Sequence, residues 1–174
     1  MRTPSIKNIL SAFVVASLAI TLTSCSGAGP DAATRLIKQV TDGAETSITD
    51  NGNNIELSNM LLVATEDGSA VLVGTIVNKG NSDDKILGIY VGNSQATITG
   101  TSDLVPFQPV RFEGDSANAK AVFAGVGAVP GVNVPLNIGF AKAGMVKVNV
   151  IVRDKRDVYA GVTTGAALTK TAAK

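Results

Sequence analysis

Histidine and tryptophan are absent from the 174 residues, cysteine occurs once, and the aromatic set is two tyrosines and five phenylalanines. Without histidine there is no Ser-His-Asp or Cys-His nucleophile, and no zinc site built on His and Cys. The lack of tryptophan, at 4% aromatic content, argues against a carbohydrate-stacking platform. An excess of one charge is missing too: 15 basic against 14 acidic residues leave a net charge of +1, so no basic field calls for nucleic acid or another polyanion. The apolar stretch from Ile9 to Leu22 rises only about 21 Å as a helix, short of the roughly 30 Å hydrocarbon core. A permanent transmembrane helix is therefore not expected there. The single cysteine cannot close an intramolecular disulfide. It is a reactive thiol, half of an intermolecular bridge, or chemically consumed.

What precedes that cysteine chooses among the three. Arg2 and Lys7 form a cationic n-region before the apolar stretch, the pattern of a signal-peptide h-region. The segment Leu22-Thr23-Ser24-Cys25 then resembles the bacterial lipobox: Leu, two small residues, Cys. That resemblance implies a diacylglyceryl group on the Cys25 sulfur and cleavage before it, with residues 1–24 lost. Removing Arg2 and Lys7 leaves 13 basic against 14 acidic residues, a mature charge of −1. The remaining 150 residues make one domain and a tether, stabilised by a core and not by disulfides.

Residues 25–44 read as that tether. Ser26 to Pro30 is small and patternless. Asp31 then caps a short helix with Ala33, Leu36, Ile37 and Val40 on one face and Gly43 as its stop. That face is expected to pack on the domain edge, because Arg35 and Lys38 alone are a thin cationic face for membrane contact.

From about Glu45 the period changes to two. Val134, Leu136, Ile138 and Phe140, then Val146, Val148, Val150 and Val152, alternate with other residues and meet through Ala143-Gly144, which predicts a half-buried hairpin. Upstream, β-prone runs at 55–63, 70–77, 86–91, 95–99, 105–112 and 119–126 are separated by turn formers such as Asn51-Gly52 and Asp67-Gly68. Seven to nine strands near ten-residue intervals predict an all-β, antiparallel sandwich or barrel over residues 45–158. Pro106 and Pro109 mark an edge or irregular connection. The Thr- and Ala-rich stretch from Gly161, within a flexible tail over 159–174, has no core pattern and is expected to be disordered.

Two motifs carry a family resemblance. Residues 75–89, TIVNKGNSDDKILGI, resemble the strand, Asn-x-Gly loop and Leu-containing strand of PCuAC-type periplasmic copper chaperones. Residues 134–152, VPLNIGFAKAGMVKVNVIV, are similar to that family's C-terminal hairpin. With the lipobox, the nearer likeness is to LpqE-type lipoproteins of actinobacteria. The resemblance implies a cupredoxin-like or immunoglobulin-like sandwich outside the cytoplasm; in an actinobacterium that is the outer face of the plasma membrane. Copper does not follow. Where the family places a His-x-Met pair, KAVFAG puts Lys120 and Val122, a protonated amine without a lone pair and a side chain without a donor. The remaining methionines, Met60 and Met145, read as core fillers.

Asp83 and Asp84 cluster in a loop beside Asn81, and oxygen ligands there could hold calcium. Lys79 and Lys85 flank it and DxDxDG spacing is lacking, so Asx side chains bonding their own turn are the favoured reading. Glu113 and Asp115, and the mixed-charge run Asp154 to Asp157, read as solvated loops. Neither GAGP at Gly27 nor GVGAVPG at Gly125 has the Lys-Ser/Thr of a phosphate loop. No catalytic residue, metal ligand or cofactor site is assigned. The expectation is a non-catalytic, lipid-anchored interaction or structural module that contacts an envelope protein, with a divergent copper chaperone or small-ligand protein as the alternative.

Overall fold

The computed structural model describes residues 41–165; the signal segment, Cys25, the helix expected over 31–40 and the residues after Gly165 lie outside the described part. Regular structure in the described chain is nearly all strand: β1 (Ala44–Ile48), β2 (Ile55–Ala64), β3 (Ala70–Asn78), β4 (Asp84–Val91), β5 (Ser94–Gln95), β6 (Thr97–Gly100), β7 (Asp103–Leu104), β8 (Val110–Phe112), β9 (Ala119–Phe123), β10 (Asn133–Phe140) and β11 (Met145–Arg153). Eleven strands stand where seven to nine were expected, because β5 and β7 are two-residue pairings along β4 and β1 adds an edge to β2.

One layer runs β1 beside β2, then β3, β8, β9 and β6; the other runs β5, β4, β10 and β11. A short parallel pairing, Val152 with Leu62 and Arg153 with Val63, joins the layers and gives the sandwich its barrel-like closure. The β10–β11 hairpin is the pattern read from sequence: Leu136, Ile138, Phe140, Val148, Val150 and Val152 all line the interior, with Leu136 beside Val148. Gly144 turns it with φ +80°, a conformation a side chain would strain. Pro106 and Pro109 fall between β7 and β8, where no ladder needs their missing N–H.

A bulge in β2 sets which residues meet the core. Ile55 and Leu57 point inward, Asn59 takes φ +53°, and the register to β3 shifts between Ser58 and Leu61. After the bulge the phase is reversed, so Met60, Leu62 and Ala64 face the core while Leu61 and Val63 face out. Gly43 lies against the bulge so closely that a Cβ would stand 2.3 Å from the Asn59 carbonyl carbon. Its amide donates to Asn59 Oδ1 at 3.0 Å.

The outward-facing Leu61 and Val63 join Val71 in a second, smaller apolar cluster, and its cover is Val162, 6% exposed. The disorder expected from Gly161 therefore does not begin there. A 3-10 turn over Asp157–Tyr159 brings the chain back across the sheet, and one β-branched side chain in a Thr- and Ala-rich segment finds an apolar seat. Packing thus extends past residue 158, the expected end of the domain.

Candidate functional site

The loop singled out from sequence is scaffolding in its central carboxylate. Asp84 opens β4 and is 7% exposed. Its Oδ1 accepts from the Lys85 and Lys142 amides at 2.7 and 2.9 Å, and its Oδ2 from the Ala143 amide at 2.9 Å. Both oxygens are thus spent tying the 141–144 turn to the start of β4. Asn81 and Asp83 are exposed. The organiser of the loop is Asn78, the Asn of the Asn-x-Gly motif: it is 2% exposed, donates to the Ser82 and Leu104 carbonyls at 2.8 and 2.9 Å, and accepts from the Gly80 amide at 2.9 Å. Among the described residues no three His, Cys, Asp or Glu side chains are grouped to hold a metal ion.

Strand β9 carries the other positions of interest. Ala119, Ala121 and Phe123 enter the main core, which leaves Lys120 and Val122 on the opposite face of the strand. Lys120 is nevertheless 5% exposed. Its ammonium pairs with Glu113 Oε1 at 2.9 Å and donates to the Thr163 carbonyl at 2.6 Å and hydroxyl at 3.4 Å. Glu113 holds φ +67° on the way out of β8, which swings its carboxylate into this pair. A carboxylate and a carbonyl thus engage this buried ammonium. It offers no lone pair to a metal, and its neighbour Val122 packs against the outer apolar cluster. Of the methionines, Met60 is fully buried in the core while Met145 is 68% exposed at the start of β11. These residues do not fit a soft cation held by His and Met.

Where β11 ends, Arg153 bridges to Asp42 at 2.9 Å, so the first described residues are tied to the last long strand. Tyr159 lies beside them, and its phenol is raised above the usual 10 first by burial and then by the charge and hydrogen bond of Asp42. At the β2–β3 turn, the Thr65 hydroxyl and the Ser69 amide hold the exposed Asp67 carboxyl below its usual range.

Two cavities open on the surface of the described residues. One of about 330 Å³ lies between β4 and β6, with Lys85, Leu87, Gln95, Ile98 and Ser102 on its walls. Another of about 170 Å³ is walled by apolar side chains, among them Leu62, Val91, Val126, Val129, Val132 and Val134. The first holds one titratable side chain and the second none, so neither presents paired acid and base groups.

Sequence reasoning found Lys120 but not its partners. Glu113 and Thr163 are 7 and 43 residues away, and no local spacing announces them. Asn78 could have been suspected as the Asn that ends a β-prone run before a Gly-containing loop.

No family model matches the chain, and no curated protein matches its sequence. Solved structures do share its architecture. The copper-bound PCuAC domain from PmoF2 superposes with a TM-score of 0.54 at 16% identity, over 64% of this chain and 98% of that one. The apo PCuAC domain from PmoF1 gives 0.52 at 21% identity, over 64% and 99%, and the apo PmoF2 PCuAC domain 0.53 at 16%, over 66% and 98%. At such identities the likeness establishes architecture alone: the described domain is a β-sandwich that shares the fold of those PCuAC domains.

Proposed function

We propose that this chain is a non-catalytic binding module of the cell envelope, held outside the cytoplasm by a lipid on Cys25 and built like the LpqE-type lipoproteins its sequence resembles. The observation that carries the reading is Lys120 on β9, buried and paired with Glu113. It stands where the resemblance places the copper-binding His-x-Met, on a domain whose architecture is otherwise of PCuAC type. Such a domain keeps loops and edges with which to contact another protein while lacking that pair of ligands.

Copper handling is the second reading, and the solved relatives favour it over a purely structural role, since one of them is a copper-bound domain. Copper would then be cargo whose ligands come largely from a partner. Titration of the chain with Cu(I) against a competing chelator separates the two. Under the first reading the chelator keeps the metal at every ratio; capture of one equivalent of Cu(I) by the chain alone overturns it. The anchor has its own test. Cys25→Ser abolishes incorporation of labelled palmitate, and labelling that survives the substitution refutes the lipobox assignment.

A further inference from the structure

Phe112, Phe123 and Phe140 are all at most 3% exposed, whereas Phe107 is 68% exposed. It also holds φ +63°, the left-handed region that bulky side chains rarely enter. Strain of this kind persists only when surrounding contacts over-determine it, and it concentrates at sites of recognition. The contacts are present. The Phe107 amide donates to the Asn78 carbonyl at 2.7 Å, and the Gln108 amide donates to the Val105 carbonyl at 3.1 Å. The buried Asn78 side chain fixes Leu104 from the other side. Pro106 and Pro109 restrict the backbone on both flanks. Val105, 36% exposed, extends the apolar tip. An aromatic ring held rigidly in water loses little conformational freedom on binding, which is the physics of an interface anchor.

Two observations select the occupant. Lys79 pairs with Glu56 and Lys85 with Asp103, so these two cations beside the tip add little net field for an anionic lipid surface to follow. Asn78 lies beside Ile55, while Asp42 is tied to Arg153, which lies beside Val63. Eight residues of β2, about 25 Å of strand, separate these levels. The tip therefore sits at the end of the sandwich away from the point where residues 1–40 attach. We propose that the Val105-Pro106-Phe107 tip is the contact surface of this domain, and that its occupant is an apolar pocket on another envelope protein. The inference rests on the reading of the chain as an anchored protein-binding module.

The test is photo-crosslinking in cells producing the full chain. A benzophenone amino acid is placed at Phe107, at Val105, at Val132 on the apolar cavity wall, or at Val158, which is 83% exposed. A discrete adduct from 107 and 105 and none from 158 is expected, with the adduct from 105 disappearing in Phe107→Gly. The protein so identified, once purified, binds the Phe107→Gly chain at least tenfold more weakly. That variant melts no lower than the wild type, because glycine relieves the positive φ. A structural role for the ring would instead lower the melting temperature. An adduct from 132 but not 107 overturns the tip while leaving the binding-module reading intact, and no discrete adduct from any position overturns both. Phe107-dependent sedimentation of the Cys25→Ser chain with phosphatidylglycerol vesicles also overturns the assignment, in favour of membrane contact.

Discussion

Lys120→Ala tests the role of the β9 pair. The lysine side chain is 6% exposed and that of Glu113 13%, so removing the ammonium leaves a carboxylate nearly out of water without its cation and the Thr163 carbonyl without its donor. Breaking a buried pair from one side costs about 3–5 kcal/mol. The residual access of water to Glu113 places this case near the lower figure, about 3 kcal/mol. With an m-value of about 2 kcal/mol/M, the urea midpoint falls by about 1.5 M. A cycle of Lys120→Met, Glu113→Gln and the double variant removes both charges and keeps most of the volume. The double variant is expected within about 1 kcal/mol of the wild type, giving a large coupling energy in the cycle. Protection of the Val162 and Thr163 amides from hydrogen exchange, measured alongside, should drop in Lys120→Ala because the segment loses its tie to β9. A single-variant loss below about 1 kcal/mol, or a double variant as unstable as the sum of its parts, would refute the account of this pair as a buried structural link.

The other predictions address separate parts of the domain. Asp84→Ala strips the acceptor from three backbone amides and is expected to cost about 3 kcal/mol in urea unfolding, with Asp84→Asn in between; an unchanged midpoint would show that water replaces the carboxylate. Gly43→Ala drives a methyl against the Asn59 backbone and should cost about 2–3 kcal/mol, read from the same assay. The Tyr159 phenol should titrate above pH 10 by absorbance near 295 nm, and Asp42→Asn should move it back toward that value. Because its folded pKa is raised, Tyr159 contributes stability that is complete below pH 10 and lost as the pH climbs through the folded value.

The pattern of two along 134–140 and 146–152 predicted a hairpin because each strand has one wet and one dry face, and period alone reports that difference. Pro106 and Pro109 likewise marked an irregular connection through local chemistry, as did Asn and Asp at the turns. The absence of histidine excluded whole classes of chemistry without any coordinates. Other features were not legible. The β2 bulge reverses which residues face the core, and no alternation within Leu61, Leu62 and Val63 reveals its phase. The seat of Val162 depends on an apolar outer face assembled from β2 and β3.

The candidate site divides in the same way. Sequence placed Asp84 in a turn-rich loop and Lys120 on a strand, because residue type and spacing are local properties. Only the tertiary structure decided that Asp84 caps a turn 58 residues away, that Lys120 meets Glu113 under Thr163, and that Phe107 stands in solvent on a strained backbone. Those outcomes depend on which distant segments share a surface, and that is set by the packing of the whole sandwich.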